Sequence, residues 1–296
     1  MSDKEPLVSV IMNCFNGEKY LLEAIESVLK QKYKNWELIF WNNKSTDNSE
    51  KIFKSINDKR FKYFCSAKHT SLYKARNLAL EKTNGIYLSF LDTDDYWLPN
   101  KIDEQVNLIK KKSSGVVYSN LWVYNDRKNK KKILFKKELY QGNVFNKILE
   151  DYRVGIISVM IKKSILYQLD KKFDERFNHI GDFDLMLRLS KATSFASLQH
   201  PTGVYRAHGN NLSTVDRLGS IQELEMWLDE NKGDLVPKQI DYMQKRIDAR
   251  KIIYFKLNDG YLESIKLLFK GTRNLTLRNL IVTMLPSFFL KKIFWY

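Results

Sequence analysis

Four apolar runs rich in β-forming residues constrain this chain most: Leu7–Met12, Trp36–Trp41, Phe61–Phe64 and Gly85–Leu91. Each has the length of a buried strand, and helical spacing fills the stretches between them. After the first run, Leu21, Leu22, Ile25, Val28 and Leu29 lie on one helical face, which predicts a helix over Tyr20–Gln31. Further helices are predicted up to about Ile56 and over Leu72–Lys82. Strands alternating with helices specify an α/β fold with a parallel sheet. Such sheets bind ligands beyond the carboxyl ends of their strands. Three polar loops fall there: Asn13–Glu18, Asn42–Asp47 and Asp92–Asp95.

The last of these loops carries the most chemistry. Asp92, Asp94 and Asp95 place three carboxylates within four residues, followed by Tyr96, Trp97 and Pro99. Carboxylates this close repel one another and raise each other's pKa, unless a cation neutralises them. Oxygen-only ligands suit Mg²⁺ or Mn²⁺, ions that commonly also hold phosphates. The same residues also read as a solvated acidic turn, where Asp is favoured for its backbone chemistry.

Composition narrows the partners. With 50 Lys and Arg against 34 Asp and Glu, the net charge of +16 attracts anions. The basic residues are scattered and match no nucleic-acid-binding motif, so nucleotide phosphates or an anionic membrane face are expected rather than nucleic acid. A basic run over 127–132 is expected in a hairpin or loop, as a solvated face or an anion contact. Two cysteines, Cys14 and Cys65, make neither a disulfide framework nor a thiolate metal site. They fit a reducing, cytoplasmic setting, and the polar N-terminal residues lack the apolar core of a signal peptide. No run reaches the roughly 18 uninterrupted apolar residues of a membrane span.

The order V-S-V-I-M-N-C-F-N-G-E, W-N-N-K-S-T-D-N-S, A-R-N, G-I-Y-L-S-F-L-D-T-D-D and G-D-F-D-L-M-L-R-L resembles the family 2 inverting glycosyltransferases over roughly residues 6–215. The resemblance implies a GT-A fold, a Rossmann-like mixed sheet flanked by helices, acting on a nucleotide-sugar donor. It makes D-T-D-D the family's DxD motif. Asp94 would then bind a divalent metal (Mn²⁺ or Mg²⁺) on the donor diphosphate, with Asp95 and His208 as further metal-side candidates. Asn13, Phe15, Glu18, Asn42, Arg76, Asp92 and Thr93 would contact the nucleotide sugar. Asp182 matches the catalytic base, which takes the acceptor hydroxyl's proton, while Asp184 anchors the helix that follows. Read from the residues alone, Phe15 also suits the core, Arg76 a surface helix, Asp182 a helix cap and His208 a structural role.

Two positions depart from the family's pattern. Asn42-Asn43 stand where an acidic pair is usual, so a uracil N3–H would meet an amide oxygen without charge assistance. Uridine remains the favoured base, with thymidine and guanine as alternatives. Gly181 stands before Asp182, where the family often has Glu.

Further along, a helix is predicted over Ile102–Lys112, and strands over 115–124 and Gly155–Ile161. A catalytic domain over residues 1–215 and a helical region over 216–296 are expected, helical from about Ser220 to Gly271. The tail from Leu280 to Tyr296 mixes apolar, aromatic and basic residues, and reads either as an interfacial membrane contact or as a docked terminal helix. The resemblance implies a glycan or lipid-linked acceptor and surface-polysaccharide or lipooligosaccharide synthesis in bacteria, at the inner face of the cytoplasmic membrane. Rival readings are a nucleotidyltransferase or phosphotransferase with the same sheet and carboxylates, a basic nucleic-acid-binding protein, and an inactive lectin-like relative.

Overall fold

The computed structural model describes residues 5–209, 211–258, 262–263 and 265–266. It divides into two compact units, one ending at Arg206 and one beginning at Ala207. In the first unit the chain runs β1 (Val8–Cys14), α1 (Glu18–Leu29), β2 (Trp36–Asn42), α2 (Ser49–Lys54), β3 (Phe61–Cys65), α3 (Leu72–Leu80) and β4 (Tyr87–Phe90). It continues as β5 (Tyr96–Trp97), α4 (Lys101–Lys112), β6 (Val116–Asn125), β7 (Lys130–Ile133), α5 (Phe145–Glu150), β8 (Met160–Lys162), α6 (Lys163–Tyr167), α7 (Gly181–Ala192) and β9 (Phe195–Ala207). The strands form one sheet in the order β3-β2-β1-β4-β8-β6-β9-β5, with β7 added beside β6. The first four strands are mutually parallel, whereas β8 runs antiparallel to β4 and β6 antiparallel to β8. The fold is therefore mixed α/β, with the parallel half where alternation placed it.

All seven residues of β2 are buried, as both faces of a central parallel strand require. One of them is an acid, Glu37, which staples the amino end of the sheet. Its Oε1 accepts from Ser9 Oγ at 2.6 Å and from the Asn84 N–H at 2.6 Å, while Oε2 accepts from Lys62 Nζ. Ser9 Oγ in turn accepts the Gly85 N–H at 2.8 Å. The backbones approach so closely that a Cβ at Gly85 would lie 2.5 Å from the Ser9 nitrogen, so the glycine ahead of β4 is a steric requirement.

The apolar run Gly155–Ile161 does not form the single strand its composition suggests. Ile156–Ser158 make one 3₁₀ turn, and only Met160–Lys162 are strand. Ser158 closes the turn, donating from both its N–H and its Oγ to the Gly155 carbonyl at 2.8 and 2.7 Å. The carbonyls thus turned outward are captured by Trp97 Nε1 (on Ile157) and Gln105 Nε2 (on Ser158).

Beside this turn sits a fully buried lysine. Lys101 Nζ donates to Ser89 Oγ and to Gln105 Oε1, each at 2.8 Å, and lies 3.9 Å from the centre of the Trp97 ring. Desolvation holds its pKa well below the ordinary lysine value. The unfolded chain therefore binds more protons than the folded one between the lowered pKa and about 10.4. Stability should rise with pH across that window and fall as the amine is forced to charge. Urea titrations at pH 7 and 9.5 are expected to show this rise in the wild type and its loss in Lys101→Met. Equal slopes in the two proteins would show that Lys101 titrates normally.

The second unit holds α8 (Leu212–Val215), α9 (Arg217–Asn231) and α10 (Pro237–Leu257). The helical region expected to run on from Ser220 is broken at residues 232–236. Lys232–Asp234 form a 3₁₀ turn, and Pro237 opens α10 at the first helical position, where its missing N–H costs nothing. Gln239 Oε1 caps that end by accepting the Val236 N–H at 2.9 Å. The part of the expected helix beyond 266 and the tail Leu280–Tyr296 lie outside the described residues. Among the described residues, no helix is long and apolar enough to cross a membrane.

Candidate active site

The carboxyl ends of β1, β2 and β4 share one rim, set by the registers Cys14 with Asn42 and Ile11 with Phe90. On the loop after β1, Phe15 is 50% exposed, and its ring packs on His69 with centroids 4.0 Å apart. Asn13 is half-buried, and its Nδ2 is enclosed without a hydrogen-bond partner, a donor left unsatisfied at the strand's end. Asn16 takes a left-handed turn (φ 52°) so that its Oδ1 can accept the Thr46 N–H at 2.8 Å. Glu18 Oε2 accepts from the N–H and Nδ2 of Asn48 at 2.9 and 2.8 Å. In this structure its carboxylate joins the loops after β1 and β2.

Asn42 and Asn43 are both buried. Asn42 Nδ2 donates to the Tyr63 hydroxyl at 2.9 Å, and its Oδ1 accepts the Ser45 N–H at 2.8 Å. Accepting a base N–H as well would draw on the second lone pair of Oδ1. Asn43 exchanges hydrogen bonds with Thr70, giving from Nδ2 to the Thr70 carbonyl at 2.8 Å and taking the Thr70 hydroxyl on Oδ1 at 3.0 Å. The Asn pair thus shapes the rim and holds the segment leading into α3.

The D-T-D-D loop lies directly against the first loop. A Cβ on Gly17 would come within 2.8 Å of Thr93 Oγ1, so glycine is what lets the two approach. The three aspartates have different surroundings. Asp92, one-third exposed, accepts from Arg76 at 2.6 Å, and that guanidinium is buried. Asp95 is buried and accepts the Arg206 N–H at 2.7 Å. Burial, reinforced by the charges of Asp94 and Asp92, holds the Asp95 pKa well above the ordinary carboxylate range. Asp94 is half-buried between them. Its carbonyl accepts from Arg206 Nε at 3.0 Å, and the rest of that guanidinium reaches Asp126 at 2.8 Å and Glu23. Three aromatic rings, of Tyr20, Tyr96 and Tyr124, surround the same arginine at 4.5 to 5.6 Å.

Asp182 stands in the first turn of α7. Only half-buried by area, its carboxylate is nonetheless walled by Tyr73 and Tyr152, whose hydroxyls each lie 3.3 Å from one of its oxygens. Desolvation raises its pKa above the usual Asp value, against the opposing pull of Arg76, the Phe183 N–H and the two tyrosines. Arg76 therefore acts on two carboxylates, pairing with Asp92 and stabilising the charge of Asp182. Asp184 pairs with Arg188 at 2.6 Å one turn along α7, and Arg188 also reaches the carbonyls of Lys171 and Lys172. His208 belongs to the second unit, where its N–H donates to Asn211 Oδ1 at 2.6 Å.

Asn13, Phe15, Glu18, Asn42, Thr93 and the aspartate loop thus share one rim, with Arg76 paired to Asp92 and its charge opposing the rise of the Asp182 pKa. Among the described residues, no three acidic, His or Cys side chains form a ready-made metal cage. The donor chemistry still fits Mg²⁺ or Mn²⁺, because such ions are commonly held by one or two carboxylates while phosphates and water complete the shell. A cation here would offset the charges of Asp94 and Asp92 that add to burial in raising the Asp95 pKa.

Tyr73, Tyr152, His69 and Arg206 were not singled out from the sequence. Tyr73 alone carried a local signal, since it precedes Arg76 by one helical turn and shares its face. The others reach the rim through contacts far apart along the chain.

Residues 9–170 match the family described as "Glycosyl transferase family 2". The Escherichia coli protein WfgD, named UDP-Glc:alpha-D-GlcNAc-diphosphoundecaprenol beta-1,3-glucosyltransferase, is 31% identical over 192 residues, 65% of this chain and 73% of its own. The putative teichuronic acid biosynthesis glycosyltransferase TuaG of Bacillus subtilis is 32% identical over 121 residues, 40% of this chain and 48% of its own. Among solved structures, a fragment of S. aureus TarS in complex with UDP-GlcNAc superposes with a TM-score of 0.65 at 19% identity, over 94% of this chain and 84% of that one. The mannosyltransferase PcManGT from Pyrobaculum calidifontis, in complex with GDP-Man and Mn²⁺, superposes at 0.60 with 13% identity, over 95% and 79%. These likenesses establish a shared GT-A-like fold. With the family match spanning more than half of its length, the chain belongs to glycosyl transferase family 2.

Proposed function

We propose that the protein is an inverting, metal-dependent glycosyltransferase that moves glucose from UDP-glucose to a hydroxyl of a saccharide carried on a lipid diphosphate, in the assembly of a bacterial surface polysaccharide. The observation that carries this reading is the pair of hydroxyls, of Tyr73 and Tyr152, set around the Asp182 carboxylate on the first turn of α7, with the buried guanidinium of Arg76 pairing Asp92 of the D-T-D-D loop at 2.6 Å and drawing the Asp182 pKa down by its charge. Through that charge, a phosphate-facing loop is coupled to a group suited to proton removal. The donor and acceptor are suggested by the names of WfgD and of WfaP, an Escherichia coli protein 35% identical over 120 residues.

The acceptor oxygen attacks the anomeric carbon while its proton passes to Asp182. The bond from that carbon to the diphosphate breaks, and its electron pair leaves with UDP. A single displacement inverts the anomeric centre, and one base suffices. The raised pKa of Asp182 makes it a stronger base than an ordinary aspartate. Arg76 holds Asp92 against the donor side and steadies the negative charge of Asp182 before the proton arrives. Phe15 and His69 offer an exposed aromatic surface for the base, and Asn13 a buried amide donor behind it. A divalent cation on Asp94 would supply positive charge to the departing diphosphate. Work at the inner membrane face follows from the lipid-linked acceptor and makes peripheral membrane contact part of the proposal.

Incubation with UDP-glucose, Mn²⁺ and a synthetic α-D-GlcNAc-diphospho-lipid is expected to release UDP and yield a β-linked lipid disaccharide. Release of pyrophosphate instead would indicate nucleotidyl transfer. Absence of transfer with UDP-glucose, together with turnover of another nucleotide sugar, would reject the assigned donor.

A further inference from the structure

The carboxylate of Asp182 does not hold its orientation alone. Oδ1 faces the Tyr73 hydroxyl and Oδ2 the Tyr152 hydroxyl, each at 3.3 Å. The two tyrosines come from distant parts of the chain, α3 and the segment after α5. Tyr152 meets Phe183 edge-on at 5.3 Å. Tyr73 is the more firmly fixed. It is 3% exposed, and its ring lies on Phe173 with centroids 5.1 Å apart and planes inclined by 25°. Its other side is closed by the α7 backbone, since a Cβ on Gly181 would fall 2.5 to 2.7 Å from three of its ring atoms. A ring held on both sides delivers its hydroxyl to one place. Burial keeps that phenol protonated far above neutral pH, so it serves Asp182 as a donor.

We propose that Tyr73 is a positioning residue for proton abstraction: seated on Gly181, it pins one carboxylate oxygen of Asp182 and so fixes the rotation at which the acceptor hydroxyl meets the other face. The inference rests on the reading of Asp182 as the base. It also assigns a purpose to Gly181, because any side chain there displaces the Tyr73 ring. The charged and titratable groups facing the carboxylate are Arg76 and Tyr73 from α3 and Tyr152 from the segment after α5, with Asp92 paired behind Arg76.

The test compares Tyr73→Phe, Gly181→Ala and Asp182→Asn with the wild-type full chain. Carboxyl ¹³C NMR of Asp-labelled protein, with the Asp182 signal assigned from its loss in Asp182→Asn, needs no substrate. Removing a donor to the ionised carboxylate should move the Asp182 titration to higher pH in Tyr73→Phe, and in Gly181→Ala by displacement of the ring. With UDP-glucose and the α-D-GlcNAc-diphospho-lipid, Tyr73→Phe should lower kcat about tenfold or more, the scale of a lost hydrogen bond to a charged group, with donor KM unchanged. The acid limb of kcat should shift upward with the NMR titration. An unmoved Asp182 titration in Tyr73→Phe, or an unchanged kcat beside an inactive Asp182→Asn, overturns the proposal. A fully active Asp182→Asn would overturn the reading of Asp182 itself, leaving any change in its titration without catalytic meaning.

Discussion

Asp182→Asn is expected to abolish sugar transfer while leaving UDP-glucose binding intact, lowering kcat by about 10²–10⁴, the usual span for a lost general base. The amide matches the carboxylate in shape and can still meet Tyr73 and Tyr152, so the first turn of α7 should keep its place. What it cannot do is take a proton. Arg76 should retain its pairing with Asp92 at 2.6 Å, which does not involve the Asp182 side chain. Initial rates with UDP-glucose and the lipid acceptor, beside calorimetric donor binding, separate the two effects. Transfer within about tenfold of wild type would leave Asp182 only a favourable acid in the first turn of α7, whose cap position is Ile180. The wild-type pH profile offers a second check: kcat should fall as pH drops through the raised Asp182 pKa, so its acid limb should lie above the ordinary Asp range.

The second large effect is expected at Asp94. Asp94→Ala should weaken Mn²⁺-dependent binding of UDP-glucose severely and remove the difference between binding with and without Mn²⁺. The fold should survive, because the bond from Arg206 Nε to the Asp94 carbonyl does not depend on the side chain. The substitution also removes one of the charges that push the Asp95 pKa upward. Stability without metal should therefore stay within about 0.5 kcal/mol of wild type or rise slightly. Unchanged Mn²⁺ dependence of donor binding in this variant would move the cation to another ligand set.

The parallel half of the sheet could be read from the chain because each strand there is a compact β-forming run closed by a helix. The other half resisted for a physical reason. Gly155–Ile161 has the composition of a strand, yet Ser158 bonds back onto Gly155, and Trp97 and Gln105 take the freed carbonyls. Those partners lie 53 and 60 positions away, beyond any local pattern. The 13-residue β9 was not among the runs expected as strands. At the site, the family resemblance singled out Asp92, Asp94 and Asp182 as candidates, while the differing surroundings of the three loop aspartates needed the positions of Arg76 and Arg206. Asn42 shows the same limit: its amide type is written in the chain, but its hydrogen bond to Tyr63 is not.

Arg206 grips the D-T-D-D loop at both the Asp95 side chain and the Asp94 carbonyl, with its guanidinium anchored on Asp126. A loop restrained in this way has little disorder left to surrender. A nucleotide bound there, as proposed, would meet a surface already shaped for it, and its affinity would not be diluted by the entropy of assembling that surface. Docking onto the loop should consequently be fast and nearly rigid. Whatever slow rearrangement limits turnover would have to originate elsewhere in the molecule.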